Sequence, residues 1–308
     1  MSEQGSRSTS SAENPPESGG VLFVHAHPDD ETVATGATVA HYASDPSVHV
    51  TVVTCTLGEE GEVRVPALAG LAAQQADQLG GWRLSEYRDA MRELGVTDWN
   101  FLGGIGRWRD SGMMGERTND HPHCFWQADI DYAAADLVRI VRDRRPRVLV
   151  TYDANGDYGH PDHIQAHRVA MRAADLAADP DWRPELGEAH EIAKVYWKAL
   201  PKSVMRLGFD RLHNSTDNPF AAVDDPDDIP FATPDAEISA QVRASKESGD
   251  RKIAAMHCYK TQIADNDWLW VLTATLDDET CTTEYYRLAK GKKGEGSGEH
   301  GWESGLMG

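Results

Sequence analysis

Two short apolar runs, each ending in a proline-fixed turn of histidines and carboxylates, constrain this chain most. Val21-Leu22-Phe23-Val24 leads into His25-Ala26-His27-Pro28-Asp29-Asp30-Glu31. Val148-Leu149-Val150-Thr151-Tyr152 leads, through a loop at Asp153 to Gly159, into His160-Pro161-Asp162-His163. A run of four or five apolar, β-branched-rich residues reads as a strand buried on both faces, as in a parallel sheet covered by helices. Helical spacing follows each turn, over Thr32 to Tyr42 and over Pro161 to about Leu176. Strand, polar turn and helix therefore repeat.

The same alternation extends along the chain. Val48 to Cys55, Trp99 to Leu102 and Lys194 to Leu200 read as strands, and Ile130 to Asp143 as a helix that Pro146 stops. Leu68 to Leu94 reads as helical with a break near Gly80-Gly81. This predicts an α/β fold with a Rossmann-like, mainly parallel sheet flanked by helices. Past Pro201 the pattern is less regular. Ala244 to Met256 reads as a helix, Trp268 to Leu276 is ambiguous between helix and strand, and Glu284 to Leu288 reads as an edge strand. The expected organisation is a disordered tail over 1–19 and one catalytic domain over 20–290. That domain divides into a core, 20–200, and a smaller C-terminal part, 201–290, and a loose Gly-, Lys- and Glu-rich tail follows over 291–308.

Net charge and cysteine usage narrow the function classes. A formal charge of -20 argues against a nucleic-acid or anionic-membrane partner, since both require a basic face. The acidic run Asp224, Asp225, Asp227 and Asp228 reads as loop. Four cysteines, none in a C-x-x-C pair, suit a reducing cytoplasm better than a disulfide framework. The Ser-, Glu- and Pro-rich start has no apolar run of a signal peptide, and no stretch is long and apolar enough to span a bilayer. The expectation is a cytoplasmic enzyme acting on a small molecule. Nothing in the chain marks an oligomer interface.

In open α/β sheets ligands bind beyond the carboxyl ends of the strands, where both polar turns fall. A catalytic zinc takes three protein ligands from His, Asp, Glu or Cys. His27 and Asp30 can bind from one turn, with His163 as the third ligand from the first turn of the helix after Pro161. The ligand types suit Zn2+, and Fe2+ fits them too. Asp29 lies next to a ligand but points elsewhere, so it can take the attacking water's proton and return it to a leaving amine. His160 or Tyr158 can donate to an oxyanion. The competing reading is a capped turn: Asp29 or Asp30 can cap the following helix, and Asp162 its own. Two such clusters after two strands weigh against that coincidence. His121-Pro122-His123-Cys124 has no partner cluster and reads as loop. His167 lacks the Glu of an H-E-x-x-H helix, because Ile164 stands there. His257, at the end of the predicted 244–256 helix, reads as packing or as an approach to the pocket.

These motifs resemble those of the PIG-L (LmbE-like) zinc de-N-acetylases, whose A-H-P-D-D-E and H-P-D-H motifs correspond to Ala26–Glu31 and His160–His163. Thr54 to Val63, Ala76 to Gly81 and Gly106 to Met113 are similar to the family's mycothiol branch. The resemblance covers about Val21 to Asp175. It implies removal of acetyl from N-acetylglucosamine linked to inositol. It also implies His27, Asp30 and His163 as zinc ligands, Asp29 as base and then acid, His160 at the oxyanion and Tyr158 assisting. Arg83, Asp110 and Met113 match positions near sugar and inositol, and Glu62 is a weaker candidate on a loop. The mycothiol S-conjugate amidases share both motifs and are the nearest alternative, with other PIG-L-type deacetylases beside them. A non-catalytic sugar- or nucleotide-binding module is the remote one. No G-x-G-x-x-G follows the first strand, which disfavours a dinucleotide site.

Overall fold

The computed structural model describes residues 19–212, 225, 229, 231–296 and 300–308. In chain order, β1 (Gly20–His25) is followed by α1 (Asp30–Ala43), β2 (His49–Thr54), α2 (Leu79–Leu94) and β3 (Asp98–Phe101). Then come α3 (Ile130–Arg144), β4 (Val148–Thr151), α4 (Pro161–Ala178) and β5 (Lys194–Pro201). The remainder is α5 (Lys202–Leu212), β6 (Ala232–Thr233), β7 (Ala240–Arg243), α6 (Lys246–Met256), α7 (Trp268–Thr275), α8 (Asp278–Thr282) and β8 (Thr283–Lys290).

The sheet runs β3-β2-β1-β4-β5-β8-β7, with β6 paired to β5. The first five strands are parallel, and β8 and β7 add an antiparallel extension. In register, Phe23 lies opposite Val52 of β2 and Val150 of β4.

The period of two along a strand sorts the apolar runs into two cores. Leu22, Val24 and Leu149 pack on α3 and α4, against residues such as Leu137, Val141, Ala166 and Val169. Val21, Phe23, Val148 and Val150 pack on the opposite face with Val39 of α1, Tyr87 and Met91 of α2, and Met256 of α6. Each such buried side chain contributes about 1.5–3 kcal/mol, which explains the apolar runs Val21 to Val24 and Val148 to Val150; the buried polar residues His25 and Thr151 stand only at the carboxyl ends of β1 and β4.

The α/β class and the strand-helix order agree with the sequence reading. Several details differ. Gly80-Gly81 does not break a helix: α2 starts at Leu79, and Pro66–Leu71 is a separate short 3-10 turn. A Cβ at Gly80 would lie 2.8 Å from Glu59 Cγ and 3.0 Å from Leu57 Cβ, so the glycine admits the loop after β2 against the helix. Trp268–Thr275 is helical. β8 is not an edge, because β5 and β7 flank it. Part of the expected C-terminal tail is also packed rather than loose. Trp302, Glu303 and Leu306 are buried. Glu303 pairs with Lys194, accepts from the Tyr196 hydroxyl at 2.6 Å, and bridges β7 at Ala240. The tail expected before Gly19 lies outside the described residues, as do Asp224, Asp227 and Asp228; Asp225 is exposed.

Candidate metal centre and active site

The strand order reverses between β1 and β4, whose carboxyl-terminal turns carry the two histidine-carboxylate motifs, so both face one crevice at the switch point of the sheet. His27 and Asp30 come from the turn between β1 and α1, and His163 from the first turn of α4.

These three side chains converge on one carboxylate oxygen. Asp30 Oδ2 lies 3.2 Å from His27 Nδ1 and 3.4 Å from His163 Nε2. The same oxygen accepts the His27 amide at 2.9 Å and the Tyr152 hydroxyl at 2.6 Å. Burial alone would raise the Asp30 pKa, but His163 and His27 hold it well below the carboxylate range. Both ring nitrogens of His163 are buried without a hydrogen-bond partner. A buried polar atom left unpaired costs about 1–3 kcal/mol, and a bound metal ion would remove that cost for one of the two nitrogens. Among the described residues two overlapping sets place three ligand atoms within 4.8 Å of one another: His27, His160 and His163, and His27, Asp110 and Asp162. Asp30 belongs to neither set, and the histidine and carboxylate donors gathered around His27 are of the types that fit a divalent ion.

A layer of carboxylates and hydroxyls lies behind His27 and His163. His27 Nε2 faces Asp162 at 3.2 Å and Asp110 at 3.6 Å. Asp162 is fully buried and accepts from the Ser111 amide at 2.9 Å and from the Ser111 hydroxyl. Asp157 Oδ2 lies 3.6 Å from His163 Nδ1 and 2.5 Å from Lys198 Nζ. The Tyr152 ring stacks on His163 at 4.3 Å, and its hydroxyl also accepts the Ala26 amide at 2.9 Å. Carboxylates and hydroxyls in such positions fix ligand orientation and raise ligand basicity. The sequence reading missed Tyr152, Asp157 and Ser111. The competing reading made Asp162 a helix cap, but His160 caps α4, its Nδ1 accepting the Asp162 amide at 3.1 Å.

That cap fixes the chemistry of His160. A ring nitrogen that accepts an amide hydrogen carries no proton, so neutral His160 holds its proton on Nε2. Burial, then the neighbouring His27 and His163, lower its pKa to about 3. The ring lies 4.6 Å from that of His27 and 5.0 Å from that of His163. Tyr158 is half-exposed at the mouth, with its ring 5.1 Å from His163.

Asp29 is paired with α2. Its Oδ2 meets Arg83 Nη2 at 2.9 Å. Burial pushes its pKa up to about 6, with Arg83 opposing. Its amide donates to Glu31 Oε2 at 3.2 Å. Glu31 is fully buried, and its other oxygen accepts from Tyr259 and Thr32 hydroxyls at 2.6 Å each.

The four expected substrate contacts are not equivalent. Arg83 is buried against Asp29, Pro28 and Gly58. Asp110 is buried, and its oxygens accept the amides of Gly112 at 2.9 Å and Glu60 at 3.2 Å. Met113 is exposed on the same loop. Glu62 is exposed, 4.0 Å from Arg64. A cavity of about 410 Å³ runs from Asp30, Tyr158 and His163 past Ala34, Val204 and Phe231.

The other histidine clusters stay apart from the centre. His167 Nδ1 bonds the Tyr152 carbonyl at 3.0 Å, and His257 stacks on Trp270 at 4.2 Å. His121 and His123 contact each other in an exposed loop.

Comparison with known proteins agrees with the motifs. The profile of GlcNAc-PI de-N-acetylases, PIG-L, matches residues 22–174. Over 287 residues the chain is 56% identical to the 1D-myo-inositol 2-acetamido-2-deoxy-alpha-D-glucopyranoside deacetylase of Salinispora arenicola, covering 93% of this chain and 90% of that one. The chain belongs to the PIG-L family. A second PIG-L relative with the same name, from Geodermatophilus obscurus, is 55% identical over 93% of this chain and 96% of its own length.

Solved structures extend the PIG-L fold at low identity. The N,N'-diacetylchitobiose deacetylase of Pyrococcus horikoshii superposes with a TM-score of 0.58 at 17% identity, over 87% of this chain and 83% of that one. The 4-carboxy-2-hydroxymuconate hydratase of Pseudomonas putida gives 0.57 at 18%, over 89% of this chain and 97% of that one. A hydratase on this architecture shows that the fold alone does not set the reaction.

Proposed function

We propose that this PIG-L chain hydrolyses the acetamide of 1D-myo-inositol 2-acetamido-2-deoxy-α-D-glucopyranoside, giving acetate and the free amine, as a step of mycothiol biosynthesis. The observation that carries the reading is the convergence of buried His27 and His163 with partly buried Asp30 beside Asp29, in a chain 56% identical to a deacetylase of that name over 93% of its length. We assign the three residues as ligands of zinc; ferrous iron fits the same donors. Zinc held there supplies Lewis acidity to the attacking water and to the amide carbonyl.

The chain's own groups do the rest. Asp29, with a pKa near 6, takes a proton from the attacking water and delivers it to the departing amine nitrogen. His160 presents Nε2–H to the carbonyl oxygen as negative charge develops there. Tyr158, at the mouth, adds a second donor once substrate covers it. Asp110 and Met113 border the sugar and inositol. No helix among the described residues is long and apolar enough to cross a membrane, and the four cysteines are free, which suits catalysis in the cytoplasm.

One observation favours a second substrate class. The 410 Å³ cavity beside Asp30 and His163 far exceeds a methyl group. Mycothiol S-conjugates, whose acyl portion is large, fit that space. Acetate release from the acetamide sugar and cleavage of an S-conjugate are therefore measured side by side, and the faster reaction decides between the two. Asp29→Asn should lower kcat by about 10²–10⁴-fold and leave bound metal unchanged. Full activity in that variant would remove Asp29 from the chemistry.

A further inference from the structure

The proposed chemistry leaves Glu31 without a task, although its side chain is fully buried beside the turn that carries Asp29. A buried carboxylate is costly unless its oxygens are bonded. Here both are. Oε1 accepts from the Thr32 and Tyr259 hydroxyls at 2.6 Å each, and Oε2 accepts the Asp29 amide at 3.2 Å. Tyr259 is also fully buried, and it stands 228 residues further along the chain.

The bond to Asp29 falls on strained backbone. Asp29 has φ 109° and ψ -35°, a conformation that a residue with a Cβ rarely adopts. Such backbone persists only where the surroundings over-determine it. The Asp29 carbonyl accepts the Thr32 and Val33 amides at 3.0 and 2.8 Å, which fixes the residue on its helix side. On the other side, the Pro28–Asp29 peptide is held at its N–H by Glu31 and at its carbonyl by Arg83. Rotation of that peptide changes φ of Asp29, and with it the direction of the side chain. An aspartate preceding a helix ordinarily bonds the helix amides with its own carboxylate. Asp29 makes no such bond, so its carboxylate stays free of α1.

The far end of the brace is anchored as well. Tyr259 follows α6, and its amide donates to the Met256 carbonyl at 3.2 Å. Two residues on, the Thr261 amide and hydroxyl donate to the Glu86 carboxylate of α2 at 2.9 and 2.6 Å. The Thr261 carbonyl accepts the Arg64 amide from the loop after β2 at 2.8 Å. Tyr259 therefore reaches Glu31 from a fixed point in the C-terminal part of the chain.

We infer that Glu31 and Tyr259 are a positioning pair for Asp29: the tyrosine hydroxyl aims the glutamate, and the glutamate, through the Asp29 amide, holds that residue in the positive-φ conformation from which its carboxylate works. Both are fully buried, so neither touches substrate. The inference rests on the assignment of Asp29 as the base.

A displacement of about 1 Å in a reacting group costs on the order of 100-fold in rate. The test uses the full chain loaded with zinc and N-acetylglucosaminyl-inositol as substrate, with kcat, KM and bound zinc measured for each variant. Glu31→Met fills the space without an acceptor and should lose about 100-fold in kcat, with KM and zinc unchanged. Glu31→Gln should stay within about tenfold of wild type, because its carbonyl still accepts the Asp29 amide while its NH2 faces two hydroxyls that can accept. Tyr259→Phe removes one oxygen and should lose about tenfold in kcat; added to Glu31→Met it should cost nothing more, because the hydroxyl acts through the glutamate. A glutamine variant no better than the methionine one, losses that multiply in the double variant, a rise in KM at unchanged kcat, or loss of zinc with the activity would each overturn the inference. Should Glu31→Met fail to fold, Tyr259→Phe still decides, since wild-type kcat in that variant overturns it. Asp29→Asn, assayed alongside, separates the two readings. Full activity there removes the base and the pair's role with it; an inactive Asp29→Asn beside wild-type kcat in Glu31→Met removes the positioning role alone.

Discussion

Replacing Tyr152 by phenylalanine removes a single oxygen and so isolates what orients the metal centre. The ring remains to stack on His163. Two bonds go: the one to Asp30 Oδ2 at 2.6 Å and the one from the Ala26 amide at 2.9 Å. Ala26 is fully buried, so its N–H is left without an acceptor, at a cost of about 1–3 kcal/mol. The bond to a carboxylate is charge-assisted, worth about 1.5–3 kcal/mol. Allowing for relaxation, metal-free Tyr152→Phe should be less stable by about 2–4 kcal/mol, and each kcal/mol moves Tm by about 2–4 °C in a domain somewhat smaller than this. With its orienting donor gone, Asp30 should hold zinc about 10–100-fold more weakly. At saturating metal kcat should stay close to wild type, since the hydroxyl touches a ligand and not the reacting atoms. Thermal melts with chelator and a competitive zinc titration measure both quantities. A variant with wild-type Tm and wild-type zinc affinity would refute the reasoning.

Two further outcomes are expected. His160→Ala should lower kcat by about 10²–10³-fold through loss of the Nε2–H donor and cost about 1 kcal/mol through loss of the cap of α4; steady-state kinetics and a urea melt read the two effects separately, and an unchanged kcat would exclude His160 from the oxyanion. Asp98, far from the centre, titrates at about 2, because hydrogen bonds from Arg144, His49 and Thr51 outweigh the upward push of burial. Its folded pKa lies below the unfolded value, so its stabilisation is present above about pH 4 and is lost as pH falls toward 2; discounted for solvent exposure it is about 1–2 kcal/mol. Urea midpoints of Asp98→Asn should therefore fall less than those of wild type on going from neutral to acid pH, and parallel profiles would contradict this.

The parts of the molecule legible in sequence are those whose environment is local or periodic. β1 and β4 announce themselves because both faces are buried, and the His-Pro-Asp turns because proline and strand ends restrict where they point. What was hidden depends on contacts distant in sequence. Tyr152 looks like the last residue of an apolar run until Asp30, 122 residues away, comes to lie on its hydroxyl. Arg83 carries a motif position but is turned by packing onto Asp29, 54 residues away. Gly80 reads as a helix breaker because the Leu57–Glu59 loop that requires it is visible only in three dimensions. Asp162 reads as a cap by residue type, but the His160 ring takes that role because the Asp162 carboxylate is drawn inward by Ser111 and His27.

The return of residues 302–306 to the sheet bears on how the molecule avoids sticking to itself. β7 has one strand neighbour, β8, and its outer side is a row of backbone donors and acceptors. Glu303 occupies that side: its amide donates to Ser239 and its carbonyl accepts from Gln241, each at 2.9 Å, while its carboxylate is locked to Lys194. An open strand edge is a template for pairing with other chains. During synthesis that edge stays uncovered until Glu303 has been added, some sixty residues after β7 itself. The interval in which the nascent chain is exposed to intermolecular pairing is thus set by the distance in sequence between a strand and the residue that covers it.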